Sequence, residues 1–398
     1  MAHPAVLRLR KDEERRIRAG HVWVFSNEID VKATPLVDLE PGQTVEVHDS
    51  RGKFLGAGYA NPRSLIAVRL LTRRSGRPID GALLKERLRH ALALREMLFP
   101  GDPFYRLAFG ESDGLPGLVV DRFDEVLVLQ PTTAGIDLLM DPLLEALTEL
   151  TNPGGILLRA DSPSREMEGL ERYVRPAWGN VPETVSLREN NVRFQAPILA
   201  GQKTGWFFDH RANRDRLRRY VPGRRVLDVF SYVGGWGVQA AAFGAGEVVC
   251  VDASAPALAG VAQNADINGV ADRISTVHGD AFEVLQKLAS SGERFDVVIL
   301  DPPAFIKRKK DMKEGEQAYR RLNKLGFELL PLGSGVLVSA SCSFHLSRDS
   351  LLRAVLWGAE HAGRDIQIVE EGHQGPDHPV HPAIPETSYL KAFFARTM

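Results

Sequence analysis

From residue 184 to the C-terminus, short apolar runs repeatedly end in polar or acidic residues: "RRVLDVFS", "EVVCVDAS", "ISTVHGDA", "FDVVILDPP" and "GVLVSASCS". Alanine-rich or amphipathic segments separate them. Apolar runs alternating with helical segments predict a parallel, doubly wound sheet covered on both faces. In such sheets ligands bind beyond the carboxyl ends of the strands. Every polar ending just quoted falls there.

The pattern is different upstream. Residues 1–72 hold segments such as "TVEVHDSRGKFLGAGYANPRSLIAVRLL", which alternate, are punctuated by Gly and Pro, and show no helical period. They predict a small β-barrel. "TRRSGRPID" reads as a polar linker. Residues 73–183 open with "DGALLKERLRHALALREMLF", where Leu83, Leu84, Leu88, Ala91, Leu92 and Leu94 recur at roughly helical spacing. Strand-like runs follow, then a helical stretch around "AGIDLLMDPLLEALTELT" and a strand at "GILLRAD", a compact central α+β domain. Residues 184–398 start with a hairpin, "VSLRENNVRFQAPI", turning at Asn190-Asn191. The expected fold is therefore α/β: an N-terminal barrel, a central α+β domain and a C-terminal doubly wound, Rossmann-like domain.

Composition narrows the classes. At 398 residues the chain exceeds one ordinary core. No apolar stretch reaches membrane-spanning length, and the N-terminus lacks the apolar centre of a signal peptide. The expectation is a cytoplasmic protein with no membrane partner. Two cysteines, neither in a CxxC pair, give no disulfide framework and no cysteine zinc site, so no metal is expected. Net charge is −1, so no global field points to nucleic acid. Arginine outnumbers lysine 38 to 12, with clusters at Arg214, Arg216, Arg218 and Arg219 and in the "KRKK" run from Lys307 to Lys310. Arginine favours bidentate phosphate contacts, although a GC-rich genome produces the same excess.

"VLDVFSYVGGWG" runs as a buried strand into a turn at Gly234-Gly235, where the absence of side chains lets the backbone approach a ligand. The spacing is not GxGxxG, so a dinucleotide reading is weak. Asp252 ends the next strand, a position suited to ribose hydroxyls. Asp280 ends the strand after that and suits an adenine amino group. Any one of these is an ordinary strand-to-helix turn; carboxylates on successive strand ends point to a nucleotide-like cofactor.

"LDVFSYVGG", "VVCVDAS", "HGDA" and "DPPAF" resemble the successive motifs of class I S-adenosylmethionine-dependent methyltransferases. With "GQKTGWFFDHRANR" upstream and "SASCS" downstream, the set is similar to the bacterial large-subunit ribosomal RNA 5-methylcytosine methyltransferases. "RRIRAGHVWVFSNEI" resembles the opening of that family's PUA domain, an RNA-binding barrel. The resemblance spans the whole chain. It implies S-adenosylmethionine as cofactor, 23S ribosomal RNA as partner and a homodimer. It also implies that Phe208, Asp209 and Arg211 line the cofactor. Asp228, Phe230, Ser231, Gly234 and Gly235 would approach its methionine part, Asp252 its ribose, and Asp280 with Ala281 its adenine.

That chemistry gives Cys342 a task. C5 of cytosine is a poor nucleophile until a thiolate adds to C6, and the step needs a cysteine at the mouth of the sheet. An isolated cysteine is more often a packed thiol, and Cys250, inside "EVVCVD", is read that way. Cys342 sits between serines at a strand end and is the candidate nucleophile. Asp301 would hydrogen-bond cytosine N3 and the exocyclic amine as a carboxylic acid. Pro302 and Pro303 would stiffen its loop and Phe305 would stack on a flipped base. Lys307, Arg308 and Lys309 would contact phosphates. Some RNA enzymes of this chemistry carry a second cysteine beside the Asp-Pro motif, where this chain has Ala304. The base for the C5 proton is open between His345, Glu314 and water. "HPAIPETSYLK" has the look of a surface loop able to close over substrate.

Three other readings compete. "DPPAF" also resembles the (N/D)PP(aromatic) motif of enzymes that methylate an adenine or guanine amine, which need no cysteine. A silent RNA-binding or assembly protein would not need intact acidic strand ends. A small-molecule methyltransferase would leave the barrel unexplained.

Overall fold

A computed structural model describes residues 4–398. The chain divides into two compact units: residues 1–185, 197–206 and 376–387 form one, and residues 186–196, 207–375 and 388–398 the other.

The first unit contains two five-stranded sheets. Strands β1 (Ala5–Arg8), β2 (Trp23–Phe25), β3 (Thr44–His48), β4 (Phe54–Ala60) and β5 (Ile66–Thr72) lie in the order β1-β3-β4-β5-β2. An isolated bridge between Leu9 and Ile29 links the chain just past the two edge strands, curling the sheet toward closure. The second sheet runs β10-β9-β8-β7-β6, built from β6 (Phe104–Phe109), β7 (Leu118–Phe123), β8 (Val126–Pro131), β9 (Gly155–Ala160) and β10 (Tyr173–Gly179). Helix Gly81–Leu98 covers it, capped by Asp80 on the Leu83 amide, with Leu83, Leu84, Leu88, Ala91 and Leu92 buried. Tyr59 and Leu71, from β4 and β5, belong to the same apolar cluster as these leucines, so the two sheets share a core.

The hairpin β11 (Thr184–Glu189) and β12 (Val192–Pro197) turns at Asn190 and Asn191, with φ of 54° and 66°. Two consecutive left-handed residues make the tight turn that matches strand twist, and asparagine tolerates it better than most.

The second unit is organised by a seven-stranded sheet. Its strands are β13 (Arg225–Val229), β14 (Glu247–Asp252), β15 (Ile274–His278), β16 (Val297–Leu300), β17 (Val336–Ser341), β18 (Ile366–His373) and β19 (Lys391–Thr397), in the order β15-β14-β13-β16-β17-β19-β18. The first five are parallel; β19 is antiparallel to both β17 and β18. Strand β13 has β14 on one side and β16 on the other, so the order reverses there and a crevice opens at the carboxyl ends. Among the described residues no helix is long and apolar enough to cross a membrane.

Candidate active site

The register aligns the functional positions. Asp228 pairs with Cys250 on β14 and Ile299 on β16, and Asp252 with His278 on β15. Phe230, Ser231 and Asp301 therefore follow directly on adjacent strand ends. The loop after β13 is strained: Phe230 and Tyr232 hold φ of 67° and 49°. Each such non-glycine residue costs about 1–3 kcal/mol. The surroundings hold them there. Phe230 N and Ser231 N both donate to Val251 O, at 2.9 and 3.0 Å, and Tyr232 N donates to Asp252 Oδ2 at 2.8 Å. Gly234 takes φ 88°. Gly237 is needed for another reason: a Cβ there would collide with Cys250 Sγ and stand 3.0 Å from Asp228 Oδ2. Cys250 itself is fully buried, and burial raises its thiol pKa, an inert core thiol.

Asp228 is buried, and its Oδ2 accepts from Gly237 N at 2.8 Å while Oδ1 has no hydrogen-bond partner. Burial, opposed by that amide and reinforced by Asp301 and Asp252, raises its pKa to about 7. The buried Ser231 Oγ also lacks a partner. Buried polar atoms are normally satisfied, so this corner calls for a ligand that brings donors and positive charge. S-adenosylmethionine, with an ammonium and a sulfonium, fits that demand. At the next strand end, Asp252 Oδ1 accepts from Ser254 N at 2.8 Å, so this carboxylate also shapes the loop. Asp280 is exposed and caps the helix Ala281–Ser290 through the Phe282 and Glu283 amides.

The segment before β13 sits among its own contacts. Phe208 is fully buried. Asp209 Oδ2 accepts from Tyr389 OH at 2.6 Å, and Asp209 O from Gly375 N at 2.8 Å. Arg211 Nε lies 3.8 Å from Glu189 Oε2, in the hairpin. Between them stands a residue the sequence reading passed over. His210 Nε2 is 3.2 Å from Asp301 Oδ1, and Trp236 Nε1 donates to Asp301 Oδ2 at 2.9 Å. Burial alone would raise the Asp301 pKa, but His210, Trp236 and Arg214 bring it below the ordinary value. That direction favours the ionised carboxylate, an acceptor, where the sequence suggested a carboxylic acid.

Cys342 follows β17 directly and is half-buried. Its flanking serines explain the "SCS" setting. Ser341 Oγ donates to Tyr319 OH at 2.8 Å, and Tyr319 OH lies 3.0 Å from Ser343 Oγ. Ser343 Oγ accepts from Ile306 N at 3.3 Å, tying the thiol's strand end to the Asp301 loop. Burial raises the Tyr319 pKa to about 12, against the two serine hydroxyls, keeping it a neutral hydrogen-bonding group. A second missed residue is Lys391. It pairs with Ser341 across the β17–β19 ladder, and its Nζ donates to Ser343 O at 2.7 Å. Burial lowers its pKa to about 8, and the charge interaction with Cys342 opposes that shift.

Phe305 packs on Tyr319 at 4.9 Å between ring centroids and borders Phe282 and Phe230. Pro302 is buried and Pro303 exposed. Lys307, Arg308 and Lys309 are exposed, with Arg308 paired to Asp311 at 3.2 Å. His345 is half-buried against Phe344, while Glu314 is exposed in the first turn of helix Met312–Glu328. The "HPAIPETSYLK" segment is more than a surface loop: Ile384 and Leu390 are buried. Among the described residues no group of three or more His, Cys, Asp or Glu side chains could hold a metal ion.

The chain is similar to known proteins along its whole length. Residues 7–73 match the PUA-like domain family and residues 172–396 the S-adenosylmethionine-dependent methyltransferase family. The chain is 37% identical over 394 residues to ribosomal RNA large subunit methyltransferase I of Klebsiella pneumoniae, covering 98% of each chain. It is equally similar, at 37%, to the protein of that name from Salmonella arizonae, over 98% of this chain and 97% of the relative. A solved SAM-dependent methyltransferase from Streptococcus mutans superposes with a TM-score of 0.83 at 18% identity, over 98% of this chain and 100% of that one. A solved methyltransferase complexed with SAH gives 0.84 at 19% identity, with the same coverage. At these identities the two structures speak for the fold alone.

Proposed function

This chain belongs to the ribosomal RNA large subunit methyltransferase I family and carries its S-adenosylmethionine-dependent methyltransferase domain, and from that premise we propose that it methylates C5 of a cytosine in 23S ribosomal RNA through a covalent bond from Cys342. The observation that carries this reading is the placing, on adjacent strand ends, of a half-buried thiol at Cys342 and the Asp301 carboxyl beside the corner around Asp228 and Ser231. The bound cofactor supplies an electrophilic methyl group on its sulfonium.

The residues of the chain do the rest. Cys342 Sγ, as thiolate, forms a bond to C6, and the ring electrons shift to C5, which takes the methyl group. A base, which is open between His345, Glu314 and water, takes the C5 proton, the C5–C6 double bond re-forms, and the bond from Sγ to C6 breaks, returning the thiolate. Asp301, an acceptor held by His210 and Trp236, receives the cytosine exocyclic amine and fixes the ring for attack. The Lys391 ammonium, one residue from the thiol in the chain's backbone contacts, favours the thiolate over the thiol. In the same reading Asp228, Phe230, Ser231, Gly234 and Gly235 hold the methionine part of the cofactor, Asp252 the ribose, and Asp280 with Ala281 the adenine. Phe208, Asp209 and Arg211 support the cofactor from the preceding segment. Pro302, Pro303 and Phe305 shape the base pocket, and Lys307, Arg308 and Lys309 meet phosphates. A metal-free, cytoplasmic homodimer belongs to this reading on the strength of the resemblance alone.

Nucleoside analysis of 23S ribosomal RNA incubated with the chain and labelled S-adenosylmethionine tests it. Label in 5-methylcytosine, and none with Cys342→Ala, is the expected result. Label in a methylated adenine or guanine amine, retained in Cys342→Ala, would replace it with the amino-group reading of the Asp301-Pro-Pro motif.

A further inference from the structure

The first unit holds a cavity of about 620 Å³ that the methyl-transfer chemistry does not use. That volume falls within the usual range for a site enclosing a small organic ligand. Its wall is formed by the end of β5 and the residues after it, one face of helix Gly81–Leu98, and the turn at Glu111 to Gly114.

The charges on this wall are unequal in their partnering. Each lining carboxylate has its own cation. Glu86 pairs with Arg77 at 2.8 Å, Glu111 with Arg69 at 3.0 Å, and Asp113 with the buried Arg95 at 2.6 Å. Three lining arginines, Arg73, Arg74 and Arg87, have no carboxylate within ion-pair distance among the described residues. Arg73 donates to the backbone carbonyls of Ile17 and His21, which aim its guanidinium without neutralising it. Arg87 Nη2 donates to Leu71 O at 3.2 Å, while its Nε is buried with no hydrogen-bond partner. Ser112 Oγ, also on the wall, is buried and unpartnered too. Gly114, at φ 69°, admits the Arg87 stem, since a Cβ there would stand 3.1 Å from Arg87 Cδ. Net positive charge, planar fork donors and two buried polar atoms without partners describe a seat for an oxyanion with a ring or sugar attached.

We propose that this cavity binds a phosphate-bearing nucleotide of the RNA substrate, as a subsite built wholly from residues of the first unit. The assignment to RNA, as opposed to a free nucleotide, rests on the reading that the chain acts on ribosomal RNA. It also rests on continuity, because Arg73 is the last residue matched to the PUA-like domain. Arg74 and His90 are exposed at the wall and leave room for a chain to enter.

Fluorescence anisotropy of the full chain with a labelled single-stranded oligoribonucleotide, across a salt series, tests the proposal. Arg74→Glu combined with Arg87→Met should raise Kd at least tenfold. The slope of log Kd on log salt should fall by about 0.7 per arginine removed. S-adenosylmethionine affinity should stay at the wild-type value. Arg74→Glu alone, at an exposed side chain, guards against a folding defect and should show part of the same change. Unchanged affinity and slope in both variants would overturn the proposal, as would wild-type protein that bound no oligoribonucleotide. Cytidine monophosphate or inorganic phosphate displacing the RNA at equal concentration would also overturn it, making the cavity a small-molecule site. Wild-type protein that bound RNA through these arginines yet methylated no cytosine would uphold the cavity and remove the reaction reading instead.

Discussion

Lys391 Nζ donates to the carbonyl oxygen of Ser343 at 2.7 Å, placing a cation beside the residue that follows Cys342. Burial lowers the lysine pKa to about 8, whereas an unfolded lysine titrates near 10.4. Near neutral pH the group is still mostly ammonium, and its charge favours the thiolate. Lys391→Met should therefore lower the rate at pH 7 by roughly tenfold, the order of one lost charge interaction. The rise of rate with pH should move upward, and the two proteins should converge above about pH 9, where the wild-type lysine is neutral. Lys391→Arg should recover part of the loss at pH 7. A uniform loss across the pH range, not recovered by arginine, would indicate a packing role only.

Asp228 gives a second pH dependence, with the opposite origin. Its pKa of about 7 means that the corner holds a neutral carboxyl below neutrality and a carboxylate above it. A cationic ligand prefers the carboxylate. Affinity for S-adenosylmethionine should rise as pH goes from about 6 to 8, and calorimetry of Asp228→Asn should show a flat profile. Without ligand the sign reverses. Between the unfolded value near 3.9 and about 7 the folded chain binds the extra proton, so the ligand-free protein should lose stability as pH rises through that window. The asparagine variant should lack that slope in thermal melts.

Much of this was legible in the sequence because β13, β14, β16 and β17 are buried on both faces and read as continuous apolar runs, whereas β15, at the sheet edge, is half-buried or exposed along its length. Residues 225–229, 247–252, 274–278, 297–300 and 336–341 all fall within quoted runs. The Asn190-Asn191 turn was legible from residue chemistry, since few residues tolerate two positive φ angles in succession. The antiparallel strands β18 and β19 were not. In "IQIVEEGH" the apolar Ile368 and Val369 are exposed while Glu370 is half-buried, so burial does not follow its hydropathy, and its place is set by pairing to β19. His210 and Lys391 escaped for the same kind of reason. One lies 91 residues from Asp301 in sequence and the other 49 from Cys342, so their partnerships exist only once the sheet has formed. The downward shift of Asp301 was likewise out of reach of the sequence, because His210 is brought beside it only by the fold.

Asp252 serves two backbone amides, those of Tyr232 and Ser254, besides its proposed ribose contact. Asp252→Ala should cost more than one charge-assisted hydrogen bond of roughly 1.5–3 kcal/mol in cofactor affinity. The strained Phe230 to Tyr232 turn would lose an anchor as well. Asp252→Asn keeps one acceptor and should lose less. Equal cofactor affinity in wild type and both variants, by calorimetry, would remove Asp252 from the cofactor site.

The covalent step makes the sharpest demand on Cys342. If its thiolate adds to C6, a protein–RNA adduct must form during turnover, and 5-fluorocytosine at the target position should trap it, because fluorine cannot leave C5 as a proton does. Wild-type chain with such RNA and S-adenosylmethionine should shift on a denaturing gel. Cys342→Ala should give neither shift nor 5-methylcytosine, yet bind S-adenosylmethionine as before, because Asp228, Ser231 and Asp252 stand on other strand ends. Cys250→Ala is the internal control. That thiol is fully buried against Gly237, so truncation leaves a small void and should cost about 1 kcal/mol of stability while the trapped adduct still forms. An adduct that persisted in Cys342→Ala and vanished in Cys250→Ala would transfer the nucleophile to the core thiol. Methylation of cytosine C5 by Cys342→Ala with no adduct in either protein would end the covalent mechanism.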